Sequence, residues 1–122
     1  MPRIDVVRAN GLKKGSSTRG VVRAKAFESA NVLVSQSRLA AGAISGWHHH
    51  GARHLYGFLA SGRLRLEYGP SGIKAADVRA GDFFHIPPRL VHRDVNPSHR
   101  QRAVIVSILL GGGPPVFNVD GV

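Results

Sequence analysis

The sequence predicts an all-β domain, a sandwich or a barrel, and three observations carry that reading. Strand-like segments are short and are punctuated by Gly, Pro, Asn and Ser turn signals every eight to twelve residues. Residues 63–68, Arg-Leu-Arg-Leu-Glu-Tyr, alternate polar and apolar with period two, the pattern of a half-buried strand. No stretch shows the apolar spacing of an amphipathic helix.

Taken in order, residues 4–7 read as a short strand that closes at Asn10-Gly11. Residues 12–20, rich in Lys, Gly and Ser, read as a loop, and residues 21–27 as an edge strand. Residues 31–39 are a firmer strand, turned by Ala40-Ala41-Gly42 into a histidine-rich hairpin. Residues 55–60 are apolar, and Ser61-Gly62 is a tight turn into the alternating strand. Gly69-Pro70-Ser71-Gly72 and Ala80-Gly81 are turns on either side of a weak strand at 73–78. Residues 82–86 form a short strand stopped by Pro87-Pro88, and residues 91–95 another that ends at Asn96-Pro97. Residues 103–110, AVIVSILL, are the most apolar run and read as a buried strand. The tail, GGGPPVFNVDGV, is too irregular for a helix and is expected to pack across a surface or a partner subunit.

The 122 residues suit one domain, long enough to bury roughly two-thirds of its unfolded surface. There is no cysteine, so disulfides, iron–sulfur clusters, thiolate zinc sites and cysteine nucleophiles are excluded. No run approaches the roughly 18 apolar residues of a membrane span, and residues 1–10 lack an apolar signal core. A cytoplasmic protein is the expectation. The net charge is +10, yet the arginines are scattered from Arg3 to Arg102, with no basic helix or nucleic-acid-binding motif. That dispersion reads as solvated surface, and part of the charge favours an anionic substrate over nucleic acid.

The chemistry concentrates in residues 42–62, which hold His48, His49, His50 and His54. Neutral imidazole is the commonest protein ligand for transition metals near pH 7. In a strand His48 and His50 share a face and His49 takes the other. A turn through Gly51, Ala52 and Arg53 would return the chain with His54 facing the same pair. His99 reads as exposed, and Trp47 as filling space beneath the hairpin.

Two spaced motifs turn this pattern into a resemblance. The first runs Gly42, five residues, His48, one residue, His50, three residues, His54 and then Gly62. The second runs Gly81, five residues, Pro87, then His92, three residues and Asn96. In this order, about thirty residues apart, they resemble the two motifs of the cupin superfamily. The resemblance covers roughly residues 31–110 and implies a double-stranded β-helix, a jelly-roll barrel with a metal in its mouth. Residues 1–30 would then be N-terminal strands and an arm, and 111–122 a tail. The chain departs from the pattern in three ways. The glutamate position holds His54, or Leu55 by the longer spacing that Gly62 favours. Arg89 replaces a motif glycine, where a left-handed backbone would cost about 1 kcal/mol. His49 and His85 are extra.

The resemblance assigns His48, His50 and His92 as metal ligands and leaves His54 to complete the set. Four neutral imidazoles would leave the full charge of a divalent ion uncompensated and disfavour magnesium and calcium. They suit manganese, iron, cobalt, nickel, copper or zinc. The expected function is a metal-dependent oxidoreductase of dioxygenase type acting on a small anionic chelating substrate. Arg89, Tyr56 and His85 are candidates for substrate contact or proton transfer. A non-catalytic small-ligand binder and a metal-dependent isomerase or lyase are the alternatives. A homodimer is expected from the resemblance, with the N-terminal strand and the tail as exchanging pieces.

Overall fold

The computed structural model describes residues 2–122 as two antiparallel sheets packed face to face. In chain order the strands are β1 Lys13–Lys14, β2 Val22–Glu28, β3 Val32–Leu39, β4 His48–His49, β5 His54–Ser61 and β6 Arg63–Tyr68. They continue as β7 Lys74–Arg79, β8 Phe83–Ile86, β9 His92–Val95, β10 Ala103–Leu110 and β11 Phe117–Asn118. One sheet has six strands in the order β1-β2-β3-β10-β5-β8, and the other has five in the order β11-β4-β9-β6-β7. The only helical pieces among the described residues are two single 3-10 turns, Ala9–Gly11 and Pro70–Gly72. No helix is long and apolar enough to cross a membrane.

Alternation decides which side chains meet between the sheets. β3 sends Leu33 and Leu39 inward, β5 sends Leu55 and Leu59, β6 sends Leu64 and Leu66, and β10 sends Ala103, Ile105 and Leu109. Val78 and Ile86 join them in one cluster. Each fully buried aliphatic side chain contributes roughly 1.5–3 kcal/mol. Residues 103–110 are therefore not buried throughout: Val106, Ile108 and Leu110 face outward and are 38–41% exposed. A uniformly apolar run hides its period, because one face is core and the other is the outer surface of the sheet.

One interior row is built from small residues. Ser35 on β3 pairs with Ser107 on β10, which pairs with Gly57 on β5. Next in line is Phe84 on β8, opposite Gly57. A Cβ at Gly57 would lie 2.3 Å from Phe84 Cζ, so the missing side chain is what admits that ring. The row leaves a hollow beneath the opposite sheet.

Two expectations fail near the N-terminus, and the tail takes the first of its two expected roles, packing on the chain's own surface. Residues 4–7 form no strand, and Ile4 and Val6 are 92% and 63% exposed. Within the expected 12–20 loop, Lys13 and Lys14 pair with Lys25 and Ala24. The tail is used within the chain, since Phe117 and Asn118 pair with His49 and His48. Arg53, 5% exposed, clamps it by donating from Nε and Nη2 to the Gly113 carbonyl at 2.9 and 2.8 Å.

Candidate metal centre

Two strands, the residue that follows β4 and the tail build the histidine cluster. His48 lies on β4 and His92 on β9, directly paired across the five-stranded sheet. His50 follows one alternation after His48, on the same inward face. All three are buried, at 1%, 3% and 2% exposure for His48, His50 and His92. Their ring centroids lie 4.4 Å apart for His48–His92, 5.1 Å for His50–His92 and 5.4 Å for His48–His50. Each offers a ligand nitrogen within 4.8 Å of the other two.

Backbone carbonyls set the tautomers. His48 Nδ1 donates to Gly46 O at 2.9 Å, His92 Nδ1 to Leu90 O at 2.9 Å and His50 Nδ1 to Pro115 O at 3.0 Å. A carbonyl only accepts, so Nδ1 carries the hydrogen and the Nε2 lone pair points inward. The Nε2 atoms of His50 and His92 are buried without a hydrogen-bond partner. Burial pushes His48 down to about 4, against the pull of Asp94. Burial, with His92 and His48 nearby, pushes His50 down to about 3. Neutral rings with inward lone pairs are what a transition-metal ion requires, and the donor set fits one.

The cavity they face is small, about 20 Å³, room for a water or two. Ser107 of the small-residue row, with Ser37, Leu55 and Ile105, forms the wall opposite. Arg23 enters from β2 and is held by Thr18 Oγ1 at 2.6 Å and Ser16 O at 3.3 Å. Asp94, one alternation beyond His92, also faces inward and is 7% exposed. Its backbone is pinned to Ser45, with Asp94 N donating to Ser45 Oγ and Ser45 N to Asp94 O, both at 2.8 Å. Its carboxylate stands 3.8 Å from His48 Nε2 and 3.7 Å from His92 Nε2. Burial opposes its ionisation, but the positive charge of the neighbouring imidazoles when they are protonated, together with that of Arg23, outweighs burial and holds the carboxyl below its usual range. Sequence reasoning passed over Asp94, although the His92-Arg93-Asp94 alternation placed it on the ligand face. The contribution of Pro115 O had no sequence signal, because an irregular tail has no period. A second space of about 260 Å³ opens beside His92, lined by Leu66, Tyr68, Phe84, Ile86 and Leu90, with His85 on its border.

His54 is a correction to the expected four-histidine set. It is the first residue of β5 and is exposed on the outer face, while its neighbour Leu55 takes the inward position and lines the cavity. The turn through Gly51 and Ala52 returns the chain one residue later than a facing His54 would need. His54 Nδ1 instead shares a hydrogen bond with His85 Nε2 at 2.9 Å. Tyr56, 46% exposed, stacks on the same outer face, 4.8 Å from the His85 ring. Neither Tyr56 nor Arg89 reaches the cavity. Arg89 does adopt the left-handed backbone expected of a glycine, with φ 61°, and lines a surface recess with His49 and Phe117. His49 points away from the triad and stacks on Phe117 at 4.9 Å, as alternation predicts. The motif asparagine, Asn96, is a staple. Its Nδ2 donates to Leu39 O, Ala40 O and Gln101 O.

Comparison with known proteins agrees with this geometry. The cupin domain family matches residues 36–109. No curated protein sequence matches. Among solved structures, an uncharacterized conserved protein with a double-stranded β-helix domain from Klebsiella pneumoniae is 19% identical, with a TM-score of 0.73 over 97% of this chain and 92% of that one. The polyketide cyclase RemF from Streptomyces resistomycificus is 16% identical, with a TM-score of 0.75 over 96% of this chain and 86% of its own. An oxalate oxidase in complex with the substrate analogue glycolate is 25% identical, with a TM-score of 0.70 over 88% of this chain, which spans 60% of that enzyme chain. A family match over more than half the sequence, two facing antiparallel sheets and a buried three-histidine cluster lead to one conclusion: this chain is a member of the cupin family with a double-stranded β-helix fold.

Proposed function

We propose that the protein is a metal-dependent oxidoreductase of dioxygenase type that acts on a small, anionic, oxygen-chelating substrate. The observation that carries this reading is a cluster of three buried histidines, His48, His50 and His92, whose ligand nitrogens lie within 4.8 Å of one another. A divalent transition metal held there by His48, His50 and His92 would supply Lewis acidity and, if redox-active, a route for electrons. Arg23 gives the cavity wall a fixed positive charge suited to a carboxylate or enolate. Leu66, Phe84 and Leu90 beside His92 would exclude water from the apolar part of a substrate. Of the three residues first considered for proton transfer, His85 alone borders that space. The likeness to an oxalate oxidase bound to glycolate supports a chelating acid as substrate. The test is metal analysis of untagged protein, followed by oxygen uptake with the iron-, manganese- and copper-loaded forms against hydroxy acids, keto acids and diketones. Turnover lost in His92→Ala supports the reading. Full metal loading with no oxygen uptake and no product from any class would overturn the enzyme.

The largely apolar character of the 260 Å³ space also favours a second reading, a metal-centred binder without turnover. Tight binding of a chelating acid, recovered chemically unchanged, would support it. We further propose a homodimer, formed through the outer face of the six-stranded sheet. Tyr56, Phe83, Val106, Ile108 and Leu110 are exposed together there. Light scattering should give twice the chain mass, and Ile108→Lys should halve it.

A further inference from the structure

We propose that Asp94 is the fourth protein ligand of the metal centre, supplied by β9, the strand that carries His92. The inference rests on the metal reading above and concerns which residues complete the site. Four acceptors meet in this cavity. The Nδ1 hydrogens of His48, His50 and His92 are spent on carbonyls, so each ring turns a lone pair inward. Asp94 adds a buried carboxylate, and no donor in the described residues forms a hydrogen bond with either of its side-chain oxygens. Arg23, in the same wall, directs Nη1 to Ser16 O and Thr18 Oγ1. A buried carboxylate without a donor is costly, and facing it with lone pairs adds to that cost. A cation at the common point reverses the sign of every one of these interactions.

The distances fit that role. Two donor atoms each about 2.1 Å from one ion stand roughly 3.0–3.4 Å apart at octahedral to tetrahedral angles. Asp94 lies 3.8 Å from His48 Nε2 and 3.7 Å from His92 Nε2, a few tenths of an ångström from closure and too long for direct hydrogen bonds. A carboxylate that merely orients a ligand histidine accepts from the ring nitrogen remote from the metal. Here those nitrogens are already bound to carbonyls, and Asp94 faces the other side of the rings. Leu55, the inward residue of β5, offers no ligand atom. With Asp94 bound, the divalent site carries one net positive charge, not the two expected of four imidazoles.

The experiment compares Co²⁺ binding and the cobalt d–d absorption spectrum in the full-length wild type, Asp94→Asn and Asp94→Glu, with thermal melts of the metal-free and loaded forms. Asp94→Asn should weaken Co²⁺ at least tenfold and alter the spectrum, and Asp94→Glu should recover part of the affinity. The metal-free Asn variant should melt at or above the wild-type temperature, because a buried charge has gone, while its gain on adding Co²⁺ should shrink. A purely structural Asp94 would move both melts down together, which would overturn the proposal. So would Co²⁺ affinity within twofold of wild type with an unchanged spectrum. Failure of the folded wild type to bind Co²⁺ would overturn the metal reading itself, whereas normal binding unaltered in Asp94→Asn would overturn only the fourth ligand.

Discussion

His48 and His54 stand only six positions apart, yet the two imidazoles end in opposite environments. The inner group, His48, His50 and His92, is buried between the sheets with each Nδ1 tied to a carbonyl. The outer pair, His54 and His85, sits on the solvent face of β5 and β8 with nitrogen directed at nitrogen. Residue type is the same, so the difference lies in the backbone. Alternation after the turn puts Leu55 inside and His54 outside, and a one-residue shift in register would exchange them. Function follows from which face a side chain takes and from what holds its second nitrogen. Only the inner rings have both their orientation and their lone pair decided for them.

The sharpest test of that contrast is metal affinity. His50→Ala or His92→Ala should lose at least a hundredfold, on the order of 3 kcal/mol or more, while His54→Ala should stay within twofold. Isothermal titration with Zn²⁺ measures both. An equal loss in His54→Ala would erase the distinction between inner and outer histidines.

Acid should separate the groups next. His48 and His50 are held near 4 and 3 when folded, against about 6.5 unfolded, so the unfolded chain binds more protons below pH 6.5. Stability is therefore complete above the unfolded value and falls as the pH drops below it. Between pH 7 and pH 5 the metal-free protein should lose about 3–4 kcal/mol through these two rings, read by urea denaturation. His50→Gln should remove roughly half of that slope, and a His54→Gln/His85→Gln double variant should leave it nearly unchanged.

Smaller effects probe what shapes the two faces. Gly57→Ala would push the Phe84 ring off β5 and should cost about 1–3 kcal/mol in thermal or urea melts. Because Phe84 lines both the cavity and the adjoining space, substrate affinity should change with it. Arg89→Gly should stabilise by up to about 1 kcal/mol by relieving a left-handed arginine, with no change in metal affinity. A loss of metal in that variant would show that Arg89 acts on the site through the neighbouring turn.

Much of the architecture is legible in the chain, for physical reasons that differ from element to element. Residues 63–68 alternate cleanly because one face is core and the other solvent, and they form β6 as read. The spacing of His48, His50 and His92 marks a metal site because two motifs must bring those residues to one place. Residues 103–110 conceal their period under an unbroken apolar run, so their outer face could not be foreseen. The pairing of β1 inside a presumed loop and the tail's bond to His50 depend on contacts between distant segments, and no local pattern announces them.

By itself, then, the sequence determined the strand alternation, the turns at Gly62 and Gly81, and the inward parity of His48, His50 and His92, because period two is a local property of extended chain. Only the tertiary structure decided that Leu55 replaces His54 at the cavity, that Pro115 orients His50, and that a carboxylate on β9 faces two imidazole nitrogens. Those outcomes depend on loop length, sheet register and chain reversal, which set positions in space that no single segment encodes.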